Sequence, residues 1–438
     1  MIVAGYRINL DALLARVIYR WHWTIVFAAL AIGILTSIAS GIVPPFWRGR
    51  AELRVQAAPE ARITVDGRLW NGDIYAGTHT VAATLPDGRR SWVHLTLQSG
   101  ETVSLDLPRG LPAPQVRRMP SAAPGMQIAS VWRAGDSWRV QSIAPSLPKA
   151  EVKESEWDAP VTQTVAVGVS GVERLTTIDA YRGRADVLTV RGTRYEAVYE
   201  PAQPGNHVDD NRVVVRGWEQ ITATIVGNVS LVRFAPDGRA LLLAERTIAG
   251  EQIRYMTPDA PPVTVVALPG EIMGVAWHPS GEVVLIASRD GDQRALTLAR
   301  LRPTPVAAVV AEPATDGLPP YAWGDDEVVW IAPDDEGFPQ LWSATLDTLL
   351  PEYQMRLDAR AMTRLANGTL RIVMLQSSTV VIGRLDGGRF IGEATLAGVP
   401  ANADLIGEWY DDELLLRSGN DAWLITIMEG ETYERTAD

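Results

Sequence analysis

The sequence predicts a mainly β fold, and three observations predict it. A polar turn followed by an apolar run recurs five times between residues 234 and 416. Short runs that alternate apolar and polar residues fill 48–108, each bounded by a turn signal. One stretch alone, residues 21–47, combines length with an absence of charge and so predicts a long apolar helix.

Residues 1–20 set Ile8, Leu13, Leu14, Val17 and Ile18 among Arg and Asp, the pattern of an amphipathic segment on a membrane surface. Residues 21–47 contain no Asp, Glu, Lys or Arg. From Trp23 to Val43 a helix is about 32 Å long, enough to cross the hydrocarbon core. Trp21 and Trp23 at one end and Phe46 and Trp47 at the other occupy membrane-interface positions. Pro44 and Pro45 end the helix, since neither supplies an N–H. Two readings stand: a retained signal anchor, or a signal peptide cut after Ser37-Ile38-Ala39. The leader of about 20 residues is long for a signal peptide and favours the anchor.

Charge does not orient the span. Arg7, Arg16 and Arg20 precede it, and Arg48, Arg50, Arg54 and Arg62 follow. A short tail before a long globular portion places the C-terminal domains outside the cytoplasm. The expectation is a single-pass protein of the cytoplasmic membrane that meets lipid through one span. His22 reads either as an axial ligand to a haem-like group or as an interfacial residue. With no second His in the span, the interfacial reading is preferred.

The 438 residues suffice for two or three domains. There is no Cys, which excludes disulfides and thiolate metal sites but assigns no compartment. Net charge is −12, made of +4 in residues 1–50 and −16 in the rest. An acidic globular portion argues against nucleic acid as a partner, since phosphate binding needs clustered positive charge.

Between 48 and 108, apolar residues alternate in Leu53 to Val55, Ile63 to Val65, His79 to Thr84, Trp92 to Leu97 and Val103 to Leu107. Asp66-Gly67, Asn71-Gly72, Pro86-Asp87-Gly88 and Ser99-Gly100 separate them. This predicts a small antiparallel β-sandwich. Pro59-Glu60-Ala61, Ile63-x-Val65-Asp66-Gly67, Gly77-x-His79-x-Val81 and Gly100-x-x-Val103 resemble the PEGA domain of bacterial surface proteins. The Gly expected between Glu60 and Ala61 is missing. The resemblance implies an extracytoplasmic spacer without catalysis. Residues 109–127 are Pro-rich and predict an extended linker.

Residues 128–438 carry the repeat. Phe234-Ala235-Pro236-Asp237-Gly238, Trp277-His278-Pro279-Ser280-Gly281, Trp323-Gly324-Asp325-Asp326, Leu365-Ala366-Asn367-Gly368 and Trp409-Tyr410-Asp411-Asp412 each precede an apolar strand. Positions 238, 281, 326, 368 and 412 lie 42 to 45 residues apart. That period, with several strands per unit, predicts a β-propeller. Residues 128–227 hold further strand-like runs without the signature, room for two more units. Seven blades are expected, with six or eight open. Pro236, Asp237, Gly238, Pro279, Gly281, Asp326, Gly368 and Asp412 form the blade-turn signature. Phe234 to Arg239, and Ser288-Arg289-Asp290-Gly291-Asp292-Gln293 in the next unit, resemble the WD40-like repeat of TolB propellers. The resemblance implies a periplasmic or surface propeller used in protein–protein contact, and carries over no functional residue.

No nucleophile elbow, zinc-protease helix, phosphate loop or dinucleotide fingerprint occurs. A prolyl-oligopeptidase-type enzyme would need an α/β-hydrolase domain after the propeller, and that reading is not the expected one. His79 and His94 read as surface residues, His207 with Asp209 and Asp210 as a solvated loop, and His278 as blade packing. Asp334-Asp335-Glu336-Gly337 is the best Ca²⁺ candidate but lacks the spacing of a dedicated loop. Asp325-Asp326-Glu327 and Asp411-Asp412-Glu413 sit at equivalent repeat positions, which favours turn chemistry. Most of the fifteen Trp fall in the repeats, where they fill blade interfaces. No cofactor, metal or catalytic residue is expected. The expected function is a membrane-anchored extracytoplasmic scaffold, in one version an accessory subunit of a larger membrane complex. A cell-wall or glycan-binding module and a propeller enzyme with a central-channel metal are the alternatives.

Overall fold

A computed structural model describes helical residues Thr24, Val26 to Ala29, Ala31 and Ile32, then 49–119. It describes the strands within 127–226 without the connections between them, and 229–427 except positions 259, 303, 316, 411 and 412. Most of the predicted span, with Trp21, Trp23, Phe46 and Trp47, lies outside the described residues, as do 1–20. Among the described residues no helix is long and apolar enough to cross a membrane. The chain divides into two compact units, residues 1–86 with 92–108, and residues 87–91 with 109–438.

The first unit holds two small sheets. Arg62–Val65, Arg68–Leu69, Gly77–Thr84 and Arg90–Leu97 form one of them. In the other, Arg50–Gln56 lies between Ile74–Tyr75 and Thr102–Asp106. Thr102–Asp106 alternates strictly between exposed and buried positions, and Leu53, Val81, Val93, Val103 and Leu105 point into the core. One expectation is corrected: the sandwich is not wholly antiparallel. Arg50–Gln56 pairs in parallel with Thr102–Asp106. The two strands are separated by enough chain to make the crossover a parallel pair requires.

Asp66 shows how a turn fixes this unit. Its φ is 51° and that of Gly67 is 76°, the two positive values of a two-residue hairpin turn. The Asp66 carboxylate accepts a hydrogen bond from the Thr80 amide at 2.9 Å and lies 2.7 Å from Nδ1 of His79. Burial alone would raise the Asp66 carboxyl. The Thr80 amide, the His79 ring and the charges of His79 and Arg68 outweigh it and hold the carboxyl below its ordinary value. A depressed carboxylate stabilises the fold above the unfolded value near 3.9, and that stability is lost as pH falls through the folded value. Asp66→Asn, which tolerates the turn, should lower the unfolding free energy by about 0.5–1 kcal/mol near neutrality, since the side chain is half exposed. Denaturant titration from acid to neutral pH should show the deficit shrinking toward acid. A deficit equal at both ends would refute the assignment.

In the second unit, four-stranded sheets follow one another along the chain. The best described are sheets three to six. They are Val229–Phe234 to Ala260–Leu268, Glu271–Trp277 to Val306–Ala311, Tyr321–Trp323 to Pro351–Arg356, and Ala359–Arg364 to Arg389–Thr395. Sheets one and two, Gln127–Ala134 to Thr164–Val167 and Asp186–Val190 to Ile221–Val226, precede them. The seventh takes Ile406–Tyr410, Glu413–Ser418 and Asp421–Thr426, and its fourth strand is Gln115–Arg118. The residues predicted to be a linker therefore contain a strand. Gln115 to Arg118 pair antiparallel with Thr426 to Trp423, and the Met119 amide continues the ladder to the Ala422 carbonyl at 2.9 Å.

The sheets stack face to face. Leu285, Leu298 and Ala287 pack with Val328 and Trp330 between sheets four and five. Ile372 packs with Val329 and Ile331 between five and six, and Val373 and Ile382 with Leu414 and Leu416 between six and seven. Leu415, Ala422 and Leu424 of the seventh pack on Ile128, Val131, Trp138 and Val140 of the first, so the stack closes. This is the architecture of a β-propeller. It explains the apolar runs: a second strand such as Val283–Asp290 is covered on both faces, so consecutive residues are buried rather than alternate ones.

The signature residues build the hairpins between first and second strands. The amides of Gly238, Gly281 and Gly368 bond the carbonyls of Ala235, His278 and Leu365 at 2.8–2.9 Å, with φ of 70°, 71° and 82°. Pro236 and Pro279 take the second position of these turns, where a fixed φ is favourable. Asp237 Oδ1 accepts the Arg239 amide at 2.9 Å. Asp326 lies in the corresponding turn of sheet five, where its carbonyl accepts the Leu346 amide at 2.8 Å. Asp412 lies outside the described residues.

Candidate functional site

The first strands of sheets five, six and seven run side by side. A cleft of about 240 Å³ opens among the first strands of sheets five, six and seven. Tyr321 and Trp323 come from the fifth, Thr363 and Arg364 from the sixth, Glu408 and Trp409 from the seventh. Pro279, a signature residue, reaches its wall from the hairpin of sheet four.

The polar groups of the cleft are arranged by neighbours. Glu408 Oε2 accepts the Tyr410 hydroxyl at 2.6 Å. Burial, then the charge of Glu408, pushes the Tyr321 phenol well above its ordinary value; Tyr321 nonetheless keeps some accessible surface where the cleft opens. Burial and the bond to Glu408 push Tyr410 up as well. Both phenols thus stay protonated donors. Arg364 is occupied elsewhere: it pairs with Glu327 and donates to the Gly368 carbonyl at 3.0 Å. The Trp323 and Trp409 indole nitrogens are out of solvent with no acceptor among the described residues. Trp323 also packs edge-on against His278 at 5.2 Å and Tyr321 at 6.0 Å.

Gly407 lets the strands approach here. A Cβ at this position would lie 2.5 Å from Leu416 Cδ2 and 2.9 Å from the Ala361 Cβ. Gly407→Ala should cost about 1–3 kcal/mol through overpacking, read by denaturant unfolding. An unchanged midpoint would show that the strands can separate without cost.

The sequence-predicted candidates are dispersed rather than gathered in this cleft. His278 is buried; its Nδ1 accepts the Ser280 amide at 3.1 Å and its Nε2 donates to the Gly324 carbonyl at 2.8 Å, tying hairpins of sheets four and five. His79 is partly buried: 12% of its side chain is exposed, and both ring nitrogens are held, by Asp66 and by the Tyr75 carbonyl. His94 is exposed and meets Thr80 at 2.8 Å. His22 and His207 lie outside the described residues. Asp334 builds a turn: Oδ1 accepts the Glu336 and Phe338 amides at 3.0 and 2.8 Å, and Oδ2 accepts Gln340 at 2.7 Å. These bonds hold its carboxyl below the ordinary value, the Phe338 amide contributing most. Among the described residues no group of three or more His, Asp or Glu side chains is placed to hold a metal ion. Glu413, at its repeat position, accepts the Trp138 indole at 3.1 Å and so links the seventh sheet to the first.

No family model matches the chain, and neither does any curated protein. Solved structures similar to it include TolB, a WD40 domain and a β-propeller domain. TolB from Acinetobacter baumannii is 10% identical over 59% of this chain and 64% of its own, with a TM-score of 0.30; the chain thus spans less than two thirds of that protein. The WD40 domain of Toxoplasma gondii coronin is 12% identical over 74% of this chain and 89% of its own, at 0.38. The β-propeller domain of the Trilobed protease from Pyrococcus furiosus is 9% identical over 70% and 96%, at 0.40.

Proposed function

We propose that this chain is a membrane-anchored scaffold that displays a propeller outside the cytoplasm and docks other proteins on it. The observation that carries the reading is a closed stack of sheets preceded by the uncharged stretch 21–47. A ring of this kind protects its own strand edges and leaves broad loop faces for partners. On this reading the seven sheets are seven blades, and residues 48–108 are a PEGA-like spacer. Residues 21–47 are a retained span, and the protein is not an enzyme. Helical residues Val26, Phe27 and Ile32 expose apolar side chains, as a lipid-facing helix would. Gly33 and Gly41, with Ala and Ser nearby, offer a small-residue face for packing against other spans, which suits an accessory subunit of a membrane complex.

The test is gentle detergent extraction of native membranes, affinity capture of the full chain and mass spectrometry of what accompanies it. A stoichiometric set of membrane proteins is expected. Recovery of the chain alone, or its appearance in the soluble fraction without residues 1–39, would overturn the reading.

A further inference from the structure

We propose that the cleft between sheets five, six and seven receives one organic cation, an alkylammonium or guanidinium group of side-chain size. Glu408 is its counter-charge, and Tyr321, Trp323 and Trp409 are its walls. The proposal rests on the reading of the ring as a binding protein and names what this part of it binds.

Charge is the first argument. Glu408 accepts one hydrogen bond, from Tyr410 to Oε2, and no Arg, Lys or His forms an ion pair with it among the described residues. Arg364, the other charged group on the wall, is neutralised by Glu327 and fixed by the Gly368 carbonyl. Among the groups that line the cleft, Glu408 is thus the one charge without an ion-pair partner among the described residues. An anion would face that carboxylate, and an uncharged apolar ligand would desolvate it without compensation.

The walls are the second argument. Three aromatic residues from two sheets line the space. A cation gains from a ring face as well as from a carboxylate. Size is the third. About 240 Å³ lies below the range of pockets for drug-sized ligands and suits a lysine or arginine side chain. A metal ion fits less well, since Glu408 is the single unpaired carboxylate on the wall.

The test is calorimetric titration of the detergent-solubilised full chain with methylguanidine and n-butylammonium, and with blocked arginine and lysine peptides. Blocked citrulline and acetyl-lysine peptides are the neutral isosteres. The charged compounds should bind at least about tenfold more tightly than the neutral ones. Glu408→Gln, which keeps an acceptor for Tyr410, should lose about tenfold or more. Equal binding of charged and neutral compounds by the unaltered protein, unchanged affinity in Glu408→Gln, or no binding of any cation would each overturn the proposal. The comparison on the unaltered protein decides the matter even if the variant does not fold. Peptides that bind at least about tenfold more tightly than the free cations identify a partner's side chain as the source; equal affinities identify a small free cation. Captured partners without cation binding would sink this proposal alone. Cation binding without partners would sink the scaffold reading alone.

Discussion

Arg117→Pro combined with Met119→Ala should strip the ring of most of its stability, although both residues lie in the stretch that reads as a linker. The fourth strand of the seventh sheet comes from this stretch. Its register places Met119 opposite Ala422 and Arg117 opposite Leu424. The Met119 amide bonds across the ladder, and in an antiparallel pair residues two apart bond on the same side, so Arg117 bonds as well. Proline there removes a donor and its ring disturbs the pairing. Met119 is 2% exposed and packs with Trp138 and Val140 of the first sheet and Leu415 and Leu424 of the seventh. Truncation to Ala opens a cavity where the ring closes, at about 2–5 kcal/mol. With the lost ladder bond at about 1 kcal/mol, the total approaches the ~5–15 kcal/mol that holds a typical domain folded. The contrast is Arg118→Ala on the same strand. It removes an ion pair with Asp421, but both side chains are exposed, so the cost should stay below about 1 kcal/mol. Denaturant unfolding with limited proteolysis separates the two. A double variant as stable as Arg118→Ala would mean that the strand decorates the ring without closing it.

This strand also marks where the sequence stops being legible. The repeat could be read because its turns demand particular residues: positive φ at Gly238, Gly281 and Gly368 is a chemical requirement that recurs with the sheets. The doubly covered second strands could be read as apolar runs for an equally physical reason. Gln115-Val116-Arg117-Arg118 offers neither signal. It is the outermost strand, bound through its backbone, and one apolar side chain is enough for it. Sheets one and two lack the turn signature, yet their strands fall within the stretch whose apolar runs left room for two units. The parallel pair in the first unit was illegible because alternation reports faces, not strand direction. The cleft was half visible. Trp323 and Trp409 stood out as repeat residues and read as packing. Tyr321 and Glu408 belong to no motif, because the closure of the stack, not local sequence, sets them side by side.

Arg384→Ala should cost about 3–5 kcal/mol, far more than its place near the surface suggests, and the reason is its partner. Glu393 is 2% exposed, and its Oε1 accepts both Nε and Nη2 of Arg384, at 3.0 and 2.7 Å. Its Oε2 has no hydrogen-bond partner. The carboxylate has thus been taken from water with half of its accepting capacity unused, and the guanidinium is what compensates it. Remove the guanidinium and a buried charge is left alone, whose desolvation dwarfs the lost attraction. The pair is a poor source of net stability by the same reasoning. Replacing both members, Arg384→Met with Glu393→Leu, removes the charge with its partner and fills the space with apolar atoms. The double variant should recover most of the loss and lie within about 1–2 kcal/mol of the unaltered protein. A double-variant cycle in denaturant measures this coupling. If the double variant is as unstable as Arg384→Ala, the loss comes from the removed packing of the long Arg stem between neighbouring strands, and the buried charge is not what the arginine is there to neutralise.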